Sequence, residues 1–143
     1  RGAIAARALL GPGLRAALPA GRMALAAGDF NITHDEDLLH APLERHARSW
    51  LVSHKFGCGD CRGTAFYEPK EQWSFLDMIL VGRELHPAGS ASWVVLRDSV
   101  RVVTARPAQN PRDGTPARFE PNHLAGVSDH WPVQLELAKR RPP

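Results

Sequence analysis

The spacing of apolar residues changes several times along the chain, and each change predicts a different element. Residues 1–18 are rich in Ala, Leu and Arg, with Ile4, Ala8, Leu9, Ala16 and Ala17 at loosely helical spacing around Gly11-Pro12-Gly13. They predict one or two helical segments, ended by Pro19-Ala20-Gly21. Met23 to Ala27 is a short apolar run closed by Gly28, the mark of a strand buried on both faces. From Pro42 to His54, apolar Leu43, Ala47, Trp50 and Leu51 recur at three- and four-residue steps between charges, which predicts an amphipathic helix. Gly57 to Glu68 is turn-like. Ser74 to Val81 is a second strand, Ser99 to Val103 a weaker β-branched run, and Ala105 to Pro121, dense in Pro, Gly, Asn and Asp, a surface loop. Trp131 to Leu137 alternates, with Trp131, Val133, Leu135 and Leu137 on one face, as a half-exposed strand does.

One residue does not fit this pattern. Asp77 sits inside the otherwise apolar run from Phe75 to Val81, and a carboxylate there is expensive to bury unless it is paired with a histidine, an arginine or a metal. Two other segments share its layout of an apolar strand meeting an acidic residue beside Gly, Ser, Asn or His. They are Gly28-Asp29-Phe30-Asn31 and Gly126-Val127-Ser128-Asp129-His130. In a mixed α/β sheet, strand ends and the loops leaving them are where ligand groups converge.

The three segments together suit phosphate-ester hydrolysis. That reaction needs an activated water, charge stabilisation on the phosphoryl oxygens and help for the leaving oxygen. Asp and Asn oxygens suit Mg²⁺ or Mn²⁺ over zinc, and a His held by a second carboxylate stabilises a negative transition state, with Asp77 and His130 the natural pair. Each segment also has a plain structural reading: an Asx-capped turn at Asp29, a capped strand entrance at Ser128, an arginine ion pair at Asp77.

Composition narrows the picture little. The chain has 143 residues, 43% hydrophobic and 23% charged, which fits one soluble globular domain or part of one. A net charge of +3, spread along the chain, permits a polyanionic partner such as nucleic acid without demanding it. No apolar stretch approaches the roughly 20 residues that span a bilayer. The start, from Arg1, lacks an initiator Met and a signal-type apolar core, so the chain reads as beginning inside a longer protein and its localisation stays open. Cys58 and Cys61 form one Cys-Gly-Asp-Cys unit, open to three readings: structural thiols or a local disulfide, a zinc site completed by His46 and His54, or a redox pair.

In order, these strings resemble the endonuclease/exonuclease/phosphatase superfamily, which includes abasic-site endonucleases, DNase I-like nucleases, inositol-polyphosphate 5-phosphatases and sphingomyelinases. Ala26-Ala27-Gly28-Asp29-Phe30-Asn31 resembles the family's strand ending in Gly-Asp-Phe-Asn. Leu76-Asp77-Met78-Ile79 resembles its later Asp-bearing strand, and Ser128-Asp129-His130-Trp131-Pro132-Val133 its closing segment. The resemblance implies an α/β (α+β) fold, a four-layer α/β/β/α sandwich with mostly antiparallel mixed sheets, of which residues 1–143 would be the C-terminal half and supply roughly one sheet. It implies that Asp29 orients or deprotonates the attacking water and that Asn31 bonds the scissile phosphate. Asp129 would help hold the metal, and His130, oriented by Asp77, would stabilise the phosphoryl oxygens. The family's N-terminal metal-binding Glu, Asn and His have no counterpart here, which implies that the chain alone is poorly stable and nearly inert.

Two further residues are candidates for substrate binding. Trp73, just before the Asp-bearing strand, sits where some subfamilies line a base or sugar pocket, against a plainer reading as a rim residue packed on Tyr67 or Phe75. His34 could reach a phosphate, against a plainer reading as a solvated loop histidine. A phosphodiesterase or nuclease is the leading reading. A phosphomonoesterase or lipid-headgroup phosphodiesterase, and a non-catalytic interaction module, are the alternatives.

Overall fold

The computed structural model describes Ala16 and residues 22–104, 114–122 and 126–141. The helical segments expected over residues 1–18 therefore lie outside the described residues apart from Ala16, as does most of the expected 105–121 loop.

Among the described residues, seven strands and three short α-helices make an α+β fold in which every strand pairing is antiparallel. Strand β5 (Asp77–Gly82) lies between β1 (Leu25–Asp29) and β2 (Trp50–Val52). Strands β3 (Ala65–Tyr67) and β4 (Gln72–Ser74) form one two-stranded sheet, and β6 (Trp93–Val102) and β7 (Val133–Lys139) another. The chain thus contributes to three sheets, not to the single one expected.

Strand β5 is apolar on alternate residues to both sides, so it joins two cores. Met78 and Leu80 pack with Phe30, Ile32, Leu43, Ala47, Trp50 and Val52. Val81 packs on the other face with Leu51, Leu85 and Val95, where β6 and β7 close over the sheet with Leu135 and Leu137. Each large side chain fully buried in this way stabilises the fold by about 1.5–3 kcal/mol.

Helix α1 (His34–His40) has no buried residue and owes its start to a capping box. The Thr33 hydroxyl accepts from Glu36 N–H, and the Glu36 carboxylate accepts in return from Thr33 N–H. Helix α2 (Pro42–His46) begins on Pro at the first turn, where a missing N–H costs nothing. Helix α3 is the single turn Ser53–Phe56.

Several expectations are corrected. The helix expected from Pro42 to His54 ends at His46, because Trp50, Leu51 and Val52 are all buried as a strand against Gly82, Val81 and Leu80. Their helical spacing is overridden by sheet pairing. The strand expected over Ser74 to Val81 is split: Ser74 ends β4, and Leu76 leaves the ladder to accept Phe30 N–H at 2.8 Å, so that Asp77 opens β5. The turn-like stretch to Glu68 contains β3. The weak run at Ser99 is the end of a ten-residue strand that bulges between Leu96 and Arg101. The expected last strand starts two residues later, at Val133, and Trp131 packs as a buried residue before it. Strand β1 is not buried on both faces: it is a sheet edge, with Met23 at its approach 47% and Leu25 53% exposed.

Among the described residues no helix is long and apolar enough to cross a membrane. Cys58 and Cys61 are joined as a disulfide with Cα atoms 5.3 Å apart, so neither thiol is free to ligate zinc in this structure.

Candidate active site

The first turn after β1 is built around its acid. Asp29 accepts Asn31 N–H through Oδ1 at 2.8 Å and the Asn31 amide through Oδ2 at 2.9 Å. These bonds fold the chain back sharply, and Asn31 takes φ +51°, a left-handed conformation that Asn tolerates better than most residues. Both side chains are exposed.

Asp29 is directly opposite Asp77 in the β1–β5 register. Side chains of such a pair share one face of the sheet, and two carboxylates there repel unless a cation or donor lies between or beside them. His130 fills that role for Asp77, with Nδ1 2.8 Å from Asp77 Oδ2 and both side chains about one-quarter exposed. The structure therefore brings Asp29, Asn31, Asp77 and His130 to one end of the β1–β5 pair.

Residues unmarked in the sequence hold this arrangement. Thr64 is fully buried, and each of its polar groups ties a different joint. Its N–H donates to Ser74 O at 2.9 Å, its carbonyl accepts Trp131 N–H at 2.7 Å, and its hydroxyl accepts Asp77 N–H at 3.1 Å while donating to Ser74 O at 3.5 Å. Ala65, the next residue, bridges to His130. Ser128 Oγ accepts His130 N–H at 3.1 Å. Thr64 thus grips the strand carrying Asp77 on one side and the residue following His130 on the other.

Asp129, adjacent to His130, is paired with a different residue. Its Oδ2 accepts from Arg118 Nη2 at 2.9 Å and Nε at 3.2 Å, and the Arg118 hydrogen bond is the main cause that holds its carboxyl below the ordinary aspartate range. Gly126 permits this contact. Its φ of +73° is a left-handed conformation, and an added Cβ would lie 2.1 Å from Arg118 O. No group of three or more His, Cys, Asp or Glu side chains placed to hold a metal occurs among the described residues. With Asp129 committed to Arg118, the described donor set does not by itself fit a divalent cation.

Trp73 and His34 lie on neighbouring ground. Trp73 packs on Phe66, its β3 partner, at 5.1 Å between ring centroids and on Trp131 at 4.8 Å, not on Tyr67 or Phe75. His34 is exposed, is the first residue of α1 instead of a loop residue, and donates its N–H to Ser74 Oγ at 3.0 Å. Both line a cavity of about 240 Å³ with Thr33, Asp37, His54, Arg62 and Phe75.

Sequence reasoning passed over Thr64, Ser74 and Arg118. A Gly-Thr between turn and strand carried no mark, and Arg118 lay in a stretch read as loop.

Comparison with known proteins places these observations. The model of the Endonuclease/Exonuclease/phosphatase family matches residues 3–130, most of the chain. No curated protein and no solved structure matches.

Proposed function

The chain belongs to the endonuclease/exonuclease/phosphatase family, and we propose that it carries the phosphodiester-hydrolysing residues of a divalent-metal-dependent, nuclease-like phosphoesterase. The observation that carries this reading is the Asp77–His130 pair set across from Asp29 at one strand end. Asp77 fixes His130 through Nδ1, which leaves Nε2 for a phosphoryl oxygen. In its cationic form the ring offsets the charge that grows on phosphorus-bound oxygens in the transition state.

Asp29 orients a water and takes its proton as the water oxygen bonds phosphorus; the bond to the leaving oxygen breaks, and that oxygen takes a proton from solvent while Asp29 returns its own to solvent. Asn31 keeps one amide hydrogen on Asp29 and has a second for the scissile phosphate. Mg²⁺ or Mn²⁺, when bound, would neutralise phosphate charge. Asp129 would be a ligand to it only if Arg118 released that carboxylate. In the same reading the two sheets that meet across Val81 and Val95 are the inner layers of a four-layer sandwich.

The test is hydrolysis of bis(p-nitrophenyl) phosphate by the full-length protein in Mg²⁺ or Mn²⁺. Chelation, Asp29→Ala and His130→Ala are each expected to lower the rate by about 100-fold or more. Activity that survives both substitutions overturns the mechanism.

A further inference from the structure

The disulfide between Cys58 and Cys61 takes no part in the hydrolysis, yet it stands in the segment that leads to the residue holding the site together. Thr64, three residues after Cys61, bonds Asp77 on one side and Trp131, next to His130, on the other. It directly precedes the β3–β4 hairpin, whose pairing covers only three residues on each strand. So short a two-stranded unit is marginal alone and depends on what ties it down. On its β4 side the hairpin is tied to α1, where Gln72 Nε2 donates to Asp35 Oδ1 at 2.9 Å and His34 N–H to Ser74 Oγ at 3.0 Å. On its β3 side the tie is residues 57–63, a strap that contains the disulfide.

Both ends of the strap are pinned. Gly57 lies so close to β6 that an added Cβ would strike Arg97 O and Val100, and Arg97 Nε donates to the preceding carbonyl, Phe56 O, at 2.7 Å. Gly63 is buried, and an added Cβ there would lie 2.8 Å from Ser74 O. Between these points the bridge sets the length. It holds the Cα atoms of Cys58 and Cys61 5.3 Å apart, whereas three residues of open chain reach about 10 Å. It also keeps Cys58 at φ +67°, a left-handed conformation that a residue with a Cβ leaves when released. The bridge is within reach of a reductant: both cysteines are half-buried, Cys58 on a cavity of about 500 Å³ and Cys61 on another of about 300 Å³.

We infer that Cys58–Cys61 is a redox latch on the Asp77–His130 pair, which keeps the strap short and Thr64 in place until a dithiol reductant releases both. A thiolate of the dithiol attacks one sulfur and breaks the S–S bond, and the freed cysteine takes a proton. The second thiol of the reductant then displaces the other cysteine. Two electrons and two protons reach the protein, which ends with two thiols, and the reductant ends as a disulfide. The slack strap lets Thr64 part from Asp77 N–H and Trp131 N–H, while the two cores on β5 stay packed, since neither contains a strap residue. The effect on turnover rests on the phosphoesterase reading; the effect on these two N–H groups does not.

The test compares the full-length protein before and after dithiothreitol, with thiol titration to confirm that the bridge has opened. Amide hydrogen exchange at Asp77 and Trp131 is expected to quicken at least about tenfold while far-ultraviolet circular dichroism stays the same. With bis(p-nitrophenyl) phosphate, kcat is expected to fall at least about fivefold with little change in KM. Reoxidation should restore both. Cys58→Ser combined with Cys61→Ser is expected to behave as the reduced protein and to ignore the reductant. Unchanged exchange after opening, a response that persists in the double variant, or global unfolding on reduction overturns the inference. Reduction and reoxidation of the unaltered protein decide the matter if the double variant fails to fold. Quickened exchange in a protein that hydrolyses nothing in either state overturns only the catalytic reading, and hydrolysis with the same kcat in both states overturns only the latch.

Discussion

Protonation of His54 is expected to weaken the fold across a defined pH window. Burial lowers its pKa from 6.5 to about 4, helped by the neighbouring Lys55 charge and opposed by Asp37 and Glu44. Between those values the unfolded chain carries a proton on this ring that the folded chain does not, so stability falls as pH falls from 6.5 towards 4. At about 1.4 kcal/mol per pH unit the displacement amounts to about 3 kcal/mol, the upper end of the usual range for a single mutation. Below pH 4 the contribution is fully lost and the dependence from this group ends. Carboxylates lose stability in overlapping conditions, because Glu44 and Asp35 are held below their ordinary pKa values chiefly by hydrogen bonds from Lys55 and Lys70. The comparison with His54→Phe removes that overlap, since a phenyl ring keeps the stack on Phe75 and cannot titrate. Urea unfolding followed by tryptophan fluorescence at pH 7 and pH 4 gives the difference between the two proteins. It is expected to change by about 3 kcal/mol in favour of the variant on acidification. Parallel curves, within about 0.5 kcal/mol, would refute a buried neutral imidazole at this position.

Other perturbations test the rest of the structure. Thr64→Val leaves Asp77 N–H without its acceptor, and is expected to cost about 1–3 kcal/mol by thermal unfolding. It should also lower kcat of the full-length protein at least about tenfold with little change in KM, through misplacement of Asp77 and His130, and Thr64→Ser should restore both. Leu80→Ala, in the most buried part of β5, is expected to cost about 2–5 kcal/mol in urea unfolding, and a loss below 1 kcal/mol would contradict the shared core. The Cys58–Cys61 bridge closes no long loop, since the cysteines are three residues apart, and its reduction is expected to cost about 2 kcal/mol or less. Unfolding of the chain on mild reduction would show the bridge to be more than a local clasp.

What was legible in the sequence follows the length scale of the interaction. The run at Met23 and the run after Asp77 announced the two strands that pair, although only the second is a sheet interior and the first lies at an edge. A carboxylate among those residues implied a partner, and His130 stands 2.8 Å away from it. Trp50 to Val52 misled because a strand joined to a short helix reproduces helical spacing by accident. Helix α1 was missed for the opposite reason: Leu38 and Leu39 are exposed, so it has no apolar stripe, and only the Thr33 to Glu36 spacing announced it. Thr64 and Arg118 were beyond reach, since a threonine or an arginine acquires its role from partners 10 to 67 residues away that local pattern does not encode.

The four-way clasp at Thr64 has a consequence in time. Its bonds to Ser74 and Asp77 span 10 and 13 residues and form as soon as the β3–β4 hairpin does, whereas the bond to Trp131, and with it the approach of His130, closes a span of more than 60. The short spans come first because they restrict the least chain. Refolding should therefore bury Thr64 early and deliver His130 to Asp77 among the last events, so that the local hairpin stands before the pair does.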